Sequence, residues 1–115
     1  EAFVKLRASA NGKTRKVLIP TLAMLEDYVR GIASGHSSDI AAMKKAFAIA
    51  ADADLTCPVT VRLHLEEICE TAMRENASGA QPVPFWRLIG EDDMTAKKAR
   101  GAPDLIRTMR AREHI

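Results

Sequence analysis

Residues 82–90 read PVPFWRLIG, and this stretch decides which fold the sequence predicts. It holds the only tryptophan of the chain, beside a phenylalanine and just after two prolines. A short aromatic and aliphatic run between proline and glycine is typical of a β-strand. We therefore expect a strand over residues 85–89. Because side chains alternate along a strand, one of Phe85 and Trp86 would pack in the core and the other would be half-exposed.

The composition is that of one globular domain. The 115 residues are enough for a single core, and 47% are hydrophobic but only 4% aromatic, so aliphatic side chains must fill it. Two cysteines, Cys57 and Cys69, do not make a disulfide framework, which favours a cytoplasmic protein. No apolar run is long enough to span a bilayer. The net charge of +2 by itself indicates neither nucleic acid nor a membrane surface as partner.

The distribution of the charges is more informative than their sum. Basic residues lie at both ends of the chain, and acidic residues concentrate between them. The basic residues are Lys5, Arg7, Lys13, Arg15 and Lys16 near the start, and Lys97, Lys98, Arg100, Arg107, Arg110 and Arg112 near the end; the acidic ones are Glu66, Glu67, Glu70 and Glu75.

Residues 1–19 are expected to form a basic arm or short strands around the turn signal Asn11-Gly12, and residues 20–115 one domain. Apolar residues at helical spacing predict three helices in the domain. Their stripes are Leu22, Leu25, Val29 and Ile32; Ile40, Met43, Phe47 and Ala50; and Val61, Leu65, Ile68, Cys69 and Ala72. Ser37 or Ser38 could cap the second helix.

The third helix begins at Pro58, with Thr56 or Cys57 as its cap, and a loop separates it from the strand expected at residues 85–89. Residues 91–103 read as a second loop or a hairpin wing before a last helix. This order of elements, with two helices, a short break, a third helix and then a strand, is that of a winged helix-turn-helix. The predicted fold class is therefore α+β and helix-rich, with short strands, and a helical domain without a wing is the alternative.

The segment around Trp86 resembles the C-terminal DNA-binding domain of the O6-alkylguanine-DNA alkyltransferases. Residues 84–88, PFWRL, stand where that family has P-C-H-R-V, and residues 73–76, MREN, resemble the segment that ends in its hinge asparagine. Pro58 and Arg62 match the proline and arginine that open its recognition helix. Residues 32–35, IASG, stand where that family has an I-P-x-G turn but lack its proline, and Glu113-His114 stand where it has a final glutamate-glycine. The resemblance covers roughly residues 18–115.

The departures from the family pattern bear directly on activity. Phe85 stands in the place of the nucleophilic cysteine, and Trp86 in that of the histidine that would help to deprotonate it. Alkyl transfer needs a thiolate, which phenylalanine cannot supply. The chain is thus similar to the alkyltransferase-like proteins, which lack the cysteine, and is expected not to be an enzyme and to need no cofactor.

What the resemblance implies is a non-catalytic DNA-binding module that senses or marks damaged, alkylated DNA. Its partners would be double-stranded DNA and a repair protein. Arg62 would enter the duplex in place of an extruded base, and the two aromatic rings would border the pocket for that base. The residues implied in DNA binding are Pro58, Arg62, Asn76, Phe85, Trp86, Arg87, Lys97 and Lys98.

Each of these residues also has an ordinary explanation. Arg62 and Glu66 are four apart on a helix and could form a surface ion pair. Phe85 and Trp86 could be plain strand residues, and the lysines could belong to a solvated face. The acidic face of the third helix would repel phosphates, which favours the alternative of a protein-interaction or structural domain. Cys57 and His64 lack a third ligand at suitable spacing, so no metal site is expected.

Overall fold

The computed structural model of the protein describes residues 1–8 and 10–115. In this part of the chain it is an α+β fold with five α-helices and a small three-stranded sheet, which confirms the helix-rich class. The elements are β1 (Phe3–Ala8), β2 (Thr14–Ile19), α1 (Leu22–Arg30), α2 (Ile40–Ala50), β3 (Leu55–Thr56), α3 (Pro58–Ala77), a 3₁₀ turn (Phe85–Arg87), α4 (Met94–Lys98) and α5 (Ala102–Glu113).

The sheet is a hairpin with one short strand added to it. β1 and β2 are antiparallel, with Phe3 opposite Ile19, on either side of the Asn11-Gly12 turn signal. Gly12 has a φ of 82°, a left-handed conformation that glycine adopts without steric cost. β3 pairs with β2 in parallel and leads directly into α3. The base of the hairpin is therefore joined to the start of the longest helix.

The helices begin where short polar side chains or proline favour a start. Thr21 accepts a hydrogen bond from the Met24 amide and caps α1. Asp39 caps α2 through a 2.7 Å bond from the Ala42 amide, so the expected serine caps are wrong by one or two positions. Pro58 is the first residue of α3. Its missing N–H costs nothing there, because the first amides of a helix have no intrahelical partner.

α3 is the centre of the core. Its buried face consists of Val61, Leu65, Ile68, Cys69 and Ala72, the stripe expected from the sequence. Leu25 and Val29 of α1 and Ile106 of α5 are in the same core cluster and are fully buried. The 3₁₀ turn contributes the largest buried side chains, those of Trp86 and Phe85. The PVPFWR segment is therefore central to the packing.

The strand expected at residues 85–89 is wrong. Residues 82–101, all of which the structure describes, contain the 3₁₀ turn and α4 but no β-strand, so no hairpin wing forms there. Pro82 and Pro84 lack the N–H groups that a strand would donate to a neighbour. The turn closes locally instead, with the Leu88 amide 3.0 Å from the Phe85 carbonyl oxygen. Of the two expected folds, the helical one without a wing describes these residues.

Candidate nucleic-acid interface

A clamp of hydrogen bonds fixes the 3₁₀ turn to the end of α5. Arg87 donates to both carboxylate oxygens of Glu113, at 2.9 and 2.8 Å, and Trp86 Nε1 donates to the same carboxylate at 3.0 Å. Only 16% of the Arg87 side chain and 8% of the Glu113 side chain are exposed. A bidentate, mostly buried pair of this kind holds its partners in one geometry.

The charges of the clamp support each other. The hydrogen bonds from Arg87 hold the pKa of Glu113 at about 2, far below its usual range, although burial opposes the shift. The bond to Glu113 in turn raises the pKa of Arg87. The guanidinium carbon also lies 5.9 Å from the centre of the Trp86 ring, within the range of a cation–π contact. The Arg87 guanidinium therefore binds groups within the protein, although it was among the residues implied in DNA binding.

Backbone contacts tie the same turn to the rest of the domain. Arg87 Nη1 donates to the carbonyl oxygen of Ile32, at 2.9 Å, just after α1. Arg110 Nε of α5 donates to the carbonyl oxygen of Trp86, at 2.7 Å, and the Ser38 amide donates to that of Arg87, at 2.8 Å. Three parts of the chain thus meet at two successive residues of the turn.

Neither aromatic ring is positioned to stack on a nucleic-acid base. Phe85 is 0% exposed and Trp86 is 1% exposed, and their rings pack edge to face at 5.8 Å. A cavity of about 330 Å³ beside the turn is lined by Arg30, Arg87 and residues 81–84, but by neither ring. Two expectations are therefore wrong: that one of the two rings is half-exposed, and that both rings border a pocket for an extruded base. The reason is that this 3₁₀ turn, unlike the expected strand, directs both side chains into the core.

Arg62 lies on the exposed side of α3, away from the face that packs into the core. It has no hydrogen bond or ion pair to any residue among 1–8 and 10–115. Its neighbours Val59 and Leu63 are 53% and 54% exposed, so the first two turns of the helix present an open surface. Pro58 is exposed at the same end. Two residues implied in DNA binding are thus close together.

The expected ion pair between Arg62 and Glu66 is wrong. Glu66 instead accepts a 2.9 Å hydrogen bond from Lys98 Nζ, at the end of α4. This bond is the main reason that the pKa of Glu66 is lowered; the Arg62 charge contributes less. The tertiary contact between α3 and α4 thus satisfies the carboxylate and leaves the guanidinium in solvent.

The remaining predicted residues do not join this surface. Asn76 is exposed in the last turn of α3, and 14 residues separate it from Arg62, about 21 Å along the helix axis. Lys98 is engaged by Glu66, whereas Lys97 is exposed on α4. The predicted set is therefore divided among both ends of α3, α4 and the core.

Two lysines that the sequence did not single out lie beside Pro58. A groove of about 440 Å³ between α2 and β3 is lined by Lys44 and Lys45 together with apolar residues that include Ile49 and Leu55. Pro58, at the start of α3, forms part of its wall. The only feature of the sequence that pointed to these two lysines was their position outside the apolar stripe of α2, which predicts that they face solvent. They add positive charge beside Pro58, in a groove that the carboxylate of Asp54 also lines.

The thiols are in no position to take over the missing nucleophile. Cys69 is fully buried in the core, where burial raises its pKa to about 12. Cys57 is the N-cap of α3 and is 7% exposed; burial opposes ionisation there, but hydrogen bonds from Thr60 lower its pKa overall. Within the described residues, no three side chains of the metal-binding types are grouped so that they could hold an ion.

The comparisons with known proteins identify no relative of this chain. No family model, curated protein or solved structure matches it. The fold and surface define the class only as a helix-rich α+β domain with an exposed, partly basic helix end, and the family resemblance stays a prediction. No helix in the described parts of the chain is long and apolar enough to cross a membrane.

Proposed function

We propose that this protein is a non-catalytic DNA-binding module, similar in role to the alkyltransferase-like proteins, that senses or marks alkylated duplex DNA in the cytoplasm. In this proposal α2 and α3, with residues 51–57 between them, are the two helices of a helix-turn-helix without a wing. The observation that carries it is Arg62, exposed on the second turn of α3 without an ion-pair partner among the described residues.

The surroundings of Arg62 fit a duplex better than the sequence suggested. Glu66, the carboxylate nearest to Arg62 along α3, forms an ion pair with Lys98, which offsets its negative charge. Lys44 and Lys45 lie beyond Pro58 on α2. Phosphate contacts from such cations position a protein on DNA without reading its sequence, and a side chain that enters the duplex supports an extruded base. Arg62 takes that second role in this proposal, and no aromatic stacking is involved.

Substitution of Arg62 tests the proposal. Arg62→Ala is expected to weaken binding to a duplex with one alkylated guanine by roughly 1–3 kcal/mol, because the extruded base loses its support. Binding to the unmodified duplex should change less, since phosphate contacts dominate there. The measurement is fluorescence anisotropy with both duplexes at one salt concentration.

Arg74→Ala is the matched control, because Arg74 is exposed near the other end of the same helix. This variant should bind both duplexes as the unchanged protein does. Equal weakening by the two substitutions would show that Arg62 acts only as one more positive charge, and would contradict its role as a wedge.

A second prediction concerns chemistry. After incubation with an oligonucleotide containing O6-alkylguanine, the mass of the intact protein should be unchanged, because Phe85 offers no thiol and Cys57 and Cys69 are buried. Iodoacetamide in denaturant is the positive control and should add two adducts. A gain of one alkyl group in the native protein would contradict the non-catalytic assignment.

The second candidate function is a protein-interaction domain that does not bind DNA. Glu67 and Glu70 are exposed further along α3, and they would repel a phosphate backbone laid along the whole helix. Ile49 is 69% exposed in the groove between α2 and β3, and an exposed apolar side chain of this size is suited to a protein partner. The absence of any DNA binding at low salt would favour this function over the first.

A further inference from the structure

The hairpin formed by β1 and β2 is rich in positive charge. We name it the basic ribbon, for the basic residues Lys5, Arg7, Lys13, Arg15 and Lys16. There is no acidic residue from position 2 to position 25. All six residues of β1 are exposed, and in β2 only Val17 and Leu18 are buried. The ribbon is thus attached at its base and open to solvent on both faces beyond it.

The register of the ribbon places like charges opposite one another. Arg7 is paired with Arg15 across the two strands, so their side chains project from the same face. Lys5 precedes Arg7 by two positions and lies on that face as well. Like charges directly opposite on neighbouring strands are destabilising. Three cations on one face of a two-stranded ribbon therefore repel each other in the isolated chain.

No acid within the described chain relieves this repulsion. Lys16, on the other face, lies 3.4 Å from Asp52 in an exposed pair. Lys5, Arg7 and Arg15 form no hydrogen bond or ion pair through their side chains to any residue among 1–8 and 10–115. An arrangement that is unfavourable in the free protein becomes favourable when a polyanion supplies the missing charge.

The ribbon is placed so that it can act together with the start of α3. The Cys57 amide, at the N-cap of α3, donates to the Leu18 carbonyl oxygen at 2.8 Å, and Val17 of β2 pairs with Leu55 of β3. The positive charge of Arg7 also contributes to the lowered pKa of Cys57, as expected for a side chain near that end of the helix. The basic ribbon and the start of α3 are therefore neighbours.

We propose that the basic ribbon is a second contact with duplex DNA, in which Lys5, Arg7 and Arg15 bind phosphates of the backbone. This inference rests on the proposed function, since it assumes that α3 meets the same duplex. Duplex DNA is the partner that fits, because it presents closely spaced charges and its major groove admits a two-stranded ribbon. The contact adds affinity and orientation but reads no sequence.

The test is the salt dependence of binding in a double variant, Arg7→Gln with Arg15→Gln. Each phosphate contact contributes about 0.9 to the slope of the logarithm of the binding constant against the logarithm of salt concentration. The variant should therefore show a slope that is less steep by about 1.8, with unmodified duplex as the ligand. Its melting temperature should be unchanged or higher, because the cross-strand repulsion is gone.

The matched control removes two other exposed arginines, Arg74→Gln with Arg112→Gln, and should keep the original slope. If the ribbon variant keeps the original slope while Arg62→Ala still weakens binding to alkylated duplex, the ribbon contact is overturned and the proposed function stands. If the unchanged protein binds no duplex but its ribbon binds vesicles containing phosphatidylserine, both DNA proposals are overturned.

Discussion

Replacement of Trp86 by alanine is expected to lower the free energy of unfolding by about 3–5 kcal/mol, the usual cost of removing a large aromatic side chain from a core. Trp86 is 1% exposed and packs against Phe85, and its Nε1 donates to Glu113. The substitution therefore leaves a cavity and removes a hydrogen bond from the clamp. Urea unfolding followed by circular dichroism measures the effect.

One further variant separates packing from hydrogen bonding at Trp86, and another is a control at an exposed position. Trp86→Phe keeps an aromatic ring and should cost less than Trp86→Ala, whereas Leu63→Ala, at a position 54% exposed, should change stability by no more than about 0.5 kcal/mol. A Trp86→Ala protein of unchanged stability that had lost its preference for alkylated duplex would contradict the core assignment. It would restore the hypothesis that the ring stacks on a base.

The second large effect is expected from Glu113→Gln. The substitution leaves the Arg87 guanidinium, whose side chain is only 16% exposed, without a negative partner. Removal of one partner of a fully buried pair costs about 3–5 kcal/mol, and we expect about 2–3 kcal/mol here because the pair is partly solvated. Glu67→Gln is the matched control, since Glu67 is an exposed carboxylate on α3, and it should have little effect.

The cost of Glu113→Gln should depend on pH. The Glu113 carboxylate has a pKa of about 2 in the folded protein, against an ordinary value of 4.5. Because the folded pKa is the lower one, the unfolded state takes up the proton first as the pH falls. The stabilisation is complete above about pH 4.5 and is lost towards pH 2. The difference in stability between the two proteins should shrink over that range, and a difference independent of pH would contradict the clamp.

The parts of the fold that follow from local pattern were predictable. The buried stripe of α3 and the hairpin at Asn11-Gly12 arise from residues close together in sequence, whose spacing and turn chemistry suffice. The 3₁₀ turn was not predictable in this way. Its residues have the composition of a strand, but Pro82 and Pro84 and the packing against α5 determine its conformation.

The candidate site depended even more on distant contacts. Trp86 and Glu113 are 27 residues apart, and no local spacing indicates their hydrogen bond. The pairing of Glu66 with Lys98, 32 residues away, likewise overrode the local spacing of Arg62 and Glu66. The sequence therefore indicated Arg62 as a residue of interest, but the surface around it depends on how α4 packs against α3.

The most direct test of the central claim is a titration of the unchanged protein with unmodified duplex DNA, by fluorescence anisotropy, between 50 and 200 mM salt. The proposed contacts of Arg62 and of the basic ribbon with the duplex predict binding at the low end of this range. They also predict an affinity that falls steeply as salt is added, because each phosphate contact releases counterions. Absence of binding at 50 mM salt, or binding that does not change with salt, would contradict the proposal that this protein is a DNA-binding module.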